Sequence, residues 1–210
     1  MNALKRLVMI VRQRIPAGIR PFFKVLKLLT VKGATSPQIP AHLLTDCRLL
    51  ATRQDLARAL GGGRVAEIGT QHGRFARFIL DEVRPERLHV VDLDVSRTDR
   101  SVLEDPRVAV HVGFSTAVLS SFEDASFDWI YIDADHSYEG VRADAEAARS
   151  KVKPGGYIVF NDFAHADPFL GVYGVHRAAT EFLVRHQWPV RFMSYDPNAL
   201  YDIAVQRPAR

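Results

Sequence analysis

From residue 64 onward, short apolar runs alternate with stretches in which apolar positions recur every three or four residues. Residues 64–68, 88–91, 108–112, 127–132 and 157–160 are apolar or β-branched runs of strand length, the pattern of strands covered on both faces. Between them, residues 73–83 carry Phe75, Phe78, Ile79 and Val83 at helical spacing, and residues 96–103 form a polar helical stretch. Residues 138–152 put Val141, Ala145, Ala148 and Val152 on one helical face, and residues 175–186 turn Ala178, Ala179 and Phe182 inward. Pro154-Gly155-Gly156 reads as a turn before the strand at 157–160. Residues 190–194 and 200–206 follow with no helix between them, so they are expected to pair as a hairpin that makes the last strand antiparallel. The predicted fold is α/β and Rossmann-like: seven mostly parallel strands with helices on both faces and an antiparallel final strand.

Upstream the rhythm differs. Residues 33–40 (GATSPQIP) form a loop, and residues 41–60 read as one or two short helices stopped by Gly61-Gly62-Gly63. The predicted division is a basic, helical N-terminal segment, 1–60, and a main domain, 61–210. The chain has 210 residues, enough for one substantial core. Its net charge of +4 is uneven: residues 1–32 hold eight basic residues and no acid, so the remainder is mildly acidic. Leu4, Leu7, Val8, Val11 and Ile15 share one helical face there. Two readings stand for 1–32, a lid over the domain or a peripheral contact with a membrane surface or acidic partner. No basic stripe with interleaved aromatics recurs, so nucleic acid is not expected. Cys47 is the one cysteine, which excludes an intramolecular disulfide or a Cys-pair zinc site. No run is long enough for a membrane span, and a cytoplasmic protein is expected, peripheral to a membrane if 1–32 binds one. Self-association is left open.

In an open α/β sheet, ligands sit beyond the carboxyl ends of the strands. The first predicted strand ends in Glu67-Ile68-Gly69-Thr70-Gln71-His72-Gly73, whose glycines allow a tight turn and close backbone approach. A dinucleotide fingerprint needs a second glycine where Gln71 stands, which disfavours an NAD-linked oxidoreductase, the rival enzyme class. Asp92, ending the second strand, suits a ribose diol, and Asp94 suits a helix cap. Asp133 and Asp135 end the fourth strand and Asn161-Asp162 the fifth. Adjacent strands lie ~4.8 Å apart, so these oxygens can converge. Such a set suits Mg²⁺, Ca²⁺ or Mn²⁺; the other reading is helix capping and cofactor binding without metal. His89 and His111 fall inside strand patterns and read as structural. Neither a zinc-protease helix nor a G-x-S-x-G elbow occurs.

The run Val65-Ala66-Glu67-Ile68-Gly69-Thr70-Gln71-His72-Gly73, together with Asp92, the stretch from Phe127 to Tyr138 and the stretch from Lys153 to Asp162, resembles the motifs of class I S-adenosylmethionine-dependent methyltransferases. The nearest likeness is to macrocin-type sugar O-methyltransferases and, more distantly, to catechol O-methyltransferase, over residues 61–206. The resemblance implies cofactor contacts at Glu67, Gly69, Thr70, Gly73, Asp92, Ser115 and Asp133. It implies a metal, Mg²⁺, at Asp133, Asn161 and Asp162, with Asp135 as general base; His136 is the second candidate and His165 a third. Gly113-Phe114-Ser115 departs from the family's Gly-Asp-Ser, so the acid expected at the adenine is missing. The implied activity is O-methylation of a small hydroxylated acceptor, a sugar or natural product. A non-catalytic cofactor-binding domain tethered by its basic N-terminus is the alternative outside enzymes. The loop at 163–173 is expected to cover the substrate.

Overall fold

A computed structural model describes residues 36–167 and 171–209. The predicted strands form as β2 (Arg64–Ile68), β3 (Arg87–Asp92), β4 (Val108–Val112), β5 (Phe127–Ile132), β6 (Val152–Phe160), β9 (Val190–Ser194) and β10 (Asp202–Gln206). An eighth, β1 (Arg48–Leu50), joins them in the order β1-β9-β10-β6-β5-β2-β3-β4. β10 runs antiparallel to both β9 and β6, and the other pairs are parallel. Two-residue strands β7 (Ala166–Asp167) and β8 (Gly171–Val172) pair separately in the loop after β6.

The helices are α1 (Arg53–Leu60), α2 (Arg74–Phe78, continued by a π turn over Ile79–Val83), α3 (Arg100–Leu103), α4 (Ser115–Ser121), α5 (Tyr138–Arg149) and α6 (Val175–His186). They cover both faces, as expected. Leu119, Val141, Ala145, Ala148, Ala179 and Phe182 pack with Ile68, Ile130 and Phe160 on one side. Leu56, Ala57, Ala76, Ile79 and Val102 pack with Val65, Val90, Trp129 and Tyr131 on the other. Each large side chain fully buried this way contributes about 1.5–3 kcal/mol.

Two local expectations are corrected, at residues 48–50 and at Pro154-Gly155-Gly156. Residues 48–50, read as helical, extend along β9 and lengthen the sheet from seven strands to eight. Residues 53–60 form a helix, as expected, and its Leu56 and Ala57 enter the main core. The predicted Pro154-Gly155-Gly156 turn lies inside β6: Gly155 takes φ +81, and a register irregularity against β5 absorbs it. The expectations for residues 1–35, including the basic helix, lie outside the described residues.

His89 and His111 are structural, as predicted. Arg64 Nε donates to His89 Nε2 at 3.1 Å, so Nδ1 carries the proton and donates to His111 Nε2 at 2.9 Å. Burial, then Arg64, His111 and Arg87, pushes His89 down to about 4, and burial lowers His111 as well. A histidine lowered on folding stays neutral where the unfolded chain's is protonated. Its contribution to stability is therefore lost as pH falls from about 6.5 to about 4. Buried carboxyls with raised pKa act in the opposite sense, so the comparison needs a variant. Between pH 7 and 4.5 the wild type should lose roughly 2 kcal/mol more than His89→Gln in urea unfolding. Parallel losses would remove this account of the pair.

Candidate functional site

The sheet order reverses between β2 and β5, and the carboxyl ends of these strands with those of β3, β4 and β6 form one rim. At Gly69 the chain turns with φ +91, and its N–H donates to Val91 O at 2.8 Å. A Cβ there would lie 2.2 Å from Asp133 O and 2.8 Å from Ala134 Cα, so only glycine lets the β2 loop pass the end of β5. Gln71 follows in a left-handed conformation, φ +49, and Gly73 caps α2 with φ +77. Asp92 locks this loop: its Oδ2 accepts Thr70 N at 3.0 Å and Gln71 N at 2.9 Å. The Asp92 carboxylate thus grips the loop, and its Oδ1 also accepts Asp94 N at 3.3 Å.

Beneath the loop, Glu67 is buried and accepts Thr70 Oγ1 at 2.9 Å. Burial raises its pKa well above the carboxylate range, against the Thr70 hydrogen bond, and Asp133 and Asp92 raise it further. Burial raises Asp133 too; Arg53 opposes that and Asp162 adds to it. Glu67, Asp92 and Asp133 thus bring three carboxyl groups to one throat, and a cation bound there would draw Glu67 and Asp133 toward their charged forms. Beside Asp92, Leu93, Val112 and Phe114 are exposed apolar side chains, Phe114 at 61%. Ser115, the expected cofactor contact, commits its Oγ–H to Asp144, which burial pushes up to about 6. It anchors the Phe114 loop to α5.

The ends of β5 and β6 do converge. Asn161 Oδ1 lies 3.2 Å from His136 Nε2, Asp162 Oδ2 3.5 Å and Asp133 Oδ1 3.6 Å. The imidazole stacks on Tyr173, ring centres 4.5 Å apart. Asn161 Nδ2 donates to Tyr131 Oη at 3.0 Å and Asp202 Oδ1 at 3.1 Å, so Asn161 Oδ1 is the acceptor for His136 Nε2–H. Tyr131 donates to Asp202 Oδ2 at 2.7 Å, and burial pushes Asp202 up to about 6. Arg53 Nη2 stands 4.0 Å from Asp162; burial lowers its pKa, but Tyr131, Asp202, Asp133 and Asp162 more than reverse that.

Two expectations change here. The predicted Mg²⁺ donors do not fit a dication as arranged. Asn161 is committed at both ends of its amide, His136 Nε2 faces both aspartates, and Arg53 already supplies positive charge. Among the described residues no group of three or more His, Cys, Asp or Glu side chains is arranged to hold a metal ion. Asp135, the first candidate base, is exposed and folded back on its own helix start, where Oδ1 accepts Ser137 N at 2.9 Å. Sequence reading missed Arg53, Tyr131 and Asp202. Tyr131 and Asp202 lie 71 residues apart and meet only through the β10-β6-β5 order.

Residues 66–163 match the model of a methyltransferase domain family. No curated protein matches the chain. Among solved structures, N-methyltransferase NodS from Bradyrhizobium japonicum WM9 in complex with S-adenosyl-L-homocysteine is similar at 17% identity, over 74% of this chain and 86% of that one, TM-score 0.56. A SAM-dependent methyltransferase from Aquifex aeolicus is similar at 15% identity, 75% and 90% coverage, TM-score 0.57. An O-methyltransferase family protein from Burkholderia thailandensis is similar at 13% identity, over 75% of this chain and 55% of that one, TM-score 0.57. At these identities the structural likeness is one of fold. The domain match covers residues 66–163, the part of the chain that builds the Gly69 turn and the ends of β3, β5 and β6.

Proposed function

We propose that this chain transfers the methyl group of S-adenosylmethionine to a hydroxyl of a small acceptor. The observation that carries the reading is the throat of Glu67, Asp92 and Asp133 under the Gly69 turn, with Leu93, Val112 and Phe114 beside it. A sulfonium nucleoside presents matching chemistry: a positive sulfur and ammonium for the acids, ribose hydroxyls for Asp92, and a flat apolar base for Phe114. NAD places a pyrophosphate, not a cation, at such a loop and gains nothing from these acids, and Gln71 stands where its fingerprint needs a glycine. When bound, S-adenosylmethionine supplies an activated methyl whose leaving group is a neutral thioether.

The chain's own part is to hold the acceptor in line and to take its proton. Tyr173 stacking and the Asn161 hydrogen bond hold the His136 ring, and its Nε2–H tautomer leaves Nδ1 as the acceptor of a proton. An imidazolium formed there faces Asp133 and Asp162 at 3.6 and 3.5 Å, which stabilise it. His136 is therefore the favoured base, and Asp135 is assigned to the start of α5.

A screen of hydroxylated acceptors with labelled S-adenosylmethionine, with and without chelator, tests this. Methyl ether should form equally in both arms, and His136→Ala should lower kcat by about 10²–10⁴-fold. Chelator-abolished transfer, or full activity in His136→Ala, would contradict the assignment. Among the described residues no helix is long and apolar enough to cross a membrane. Membrane contact by residues 1–32 and homo-oligomer formation remain proposals from charge and pattern alone.

A further inference from the structure

We propose that the cleft beside Arg53 receives the acceptor, and that Arg53 selects one with a readily ionised hydroxyl, a phenol or enol, by holding its oxyanion. The proposal rests on the methyltransferase reading above and goes on to name the substrate class. The cleft has a volume of about 210 Å³, the scale of one small ring compound. Thr52, Arg53 and Gln54 line one side, and Tyr195, Leu200 and Asp202 another. All lie outside the matched methyltransferase segment, residues 66–163. Asp202 links the cleft to the imidazole, because its carboxylate accepts from Asn161 Nδ2 at 3.1 Å and Asn161 Oδ1 faces His136 at 3.2 Å.

Arg53 is held for this task. It opens α1, whose N-cap Thr52 accepts Asp55 N at 3.1 Å. Its guanidinium lies 4.0 Å from Asp162 and 5.9 Å from the Phe75 ring, with Tyr131, Asp202 and Asp133 acting on it by charge alone. A fork with five N–H donors is far from saturated by those contacts.

The strength of one such cation sets the substrate class. An opposite charge nearby lowers an acid by about 1–3 pH units. A phenol, at ~10, then ionises near neutrality. An aliphatic alcohol, near water's ~16, does not. An ammonium acceptor would meet Arg53's charge. In the transfer, the hydroxyl proton passes to His136 and the oxygen forms a bond to the methyl carbon. The carbon–sulfur bond breaks with its electron pair on sulfur. The products are a methyl ether, S-adenosylhomocysteine and a proton released from the imidazolium.

The test uses the full chain loaded with S-adenosylhomocysteine and 4-nitrophenol as probe, its ionisation read from the visible phenolate band. Bound probe should ionise roughly one pH unit below free probe in the wild type. That shift should vanish in Arg53→Met and persist in part in Arg53→Lys. Calorimetry with S-adenosylhomocysteine, unchanged in both variants, shows that they are folded. No binding of 4-nitrophenol, an unshifted ionisation, or a full shift in Arg53→Met overturns the proposal. Absence of S-adenosylhomocysteine binding to the wild type overturns the methyltransferase reading instead.

Discussion

Gly69→Ala is expected to reduce S-adenosylmethionine affinity more than 100-fold and to destabilise the protein by about 3–5 kcal/mol. The added methyl has nowhere to go. It would sit 2.2 Å from Asp133 O and 2.8 Å from Ala134 Cα, both backbone, so no rotamer change relieves the contact. The φ of +91 adds strain for any L side chain. The loop must lift or β5 must move, and Asp133 N, which donates to Ile68 O at 2.7 Å, is lost with it. Gly73→Ala is the internal control. Its Cβ would meet Thr98 Cγ2 at 2.9 Å and Val102 Cγ2 at 3.3 Å, side chains that can give way. That variant should lose about 1–2 kcal/mol and keep most of its cofactor affinity. Calorimetric titration and urea unfolding of both variants decide the matter. Equal behaviour would mean that the close approach of β2 and β5 does not shape the site.

Asp92→Ala is the second large effect. The carboxylate accepts Thr70 N at 3.0 Å and Gln71 N at 2.9 Å, and charge-assisted bonds of this kind contribute about 1.5–3 kcal/mol each. Removal frees these two N–H groups and that of Asp94, and also takes away the proposed acceptor for the ribose hydroxyls. Cofactor affinity should fall 100-fold or more, with kcat at saturating cofactor much less affected. Asp92→Asn keeps one carbonyl oxygen and should fall about ten-fold. A loss confined to kcat would place Asp92 in the chemistry and refute its binding role.

The rim was legible because its residues follow strands that announce themselves. Val65-Ala66-Glu67-Ile68 and Trp129-Ile130-Tyr131-Ile132 are buried runs, and what comes after a buried parallel strand faces the ligand side. Glu67, Gly69, Asp92 and Asp133 were found that way. β1 was not, since a three-residue edge strand with largely exposed side chains has no apolar signature. Arg53 was hidden for a related reason: on sequence alone it is a charged residue in the first turn of a surface helix. Only the pairing of β1 with β9 carries that helix to the rim. Asp135, His136, Asn161 and Asp162 were located correctly along the chain, but which oxygen meets which proton depends on the three-dimensional partners. Asp135 turned to its helix, and Asn161 was claimed by Tyr131 and Asp202 from across the sheet. Ser115 looked like a cofactor contact by position in its motif, and buried Asp144 holds it instead.

The most direct measurement is calorimetric titration of the intact protein with S-adenosylmethionine, S-adenosylhomocysteine and NAD under identical conditions. The expected result is saturable heat from both sulfur nucleosides at micromolar concentrations and none from NAD. Silence from both nucleosides, or a stronger response to NAD, would contradict a throat built for a sulfonium.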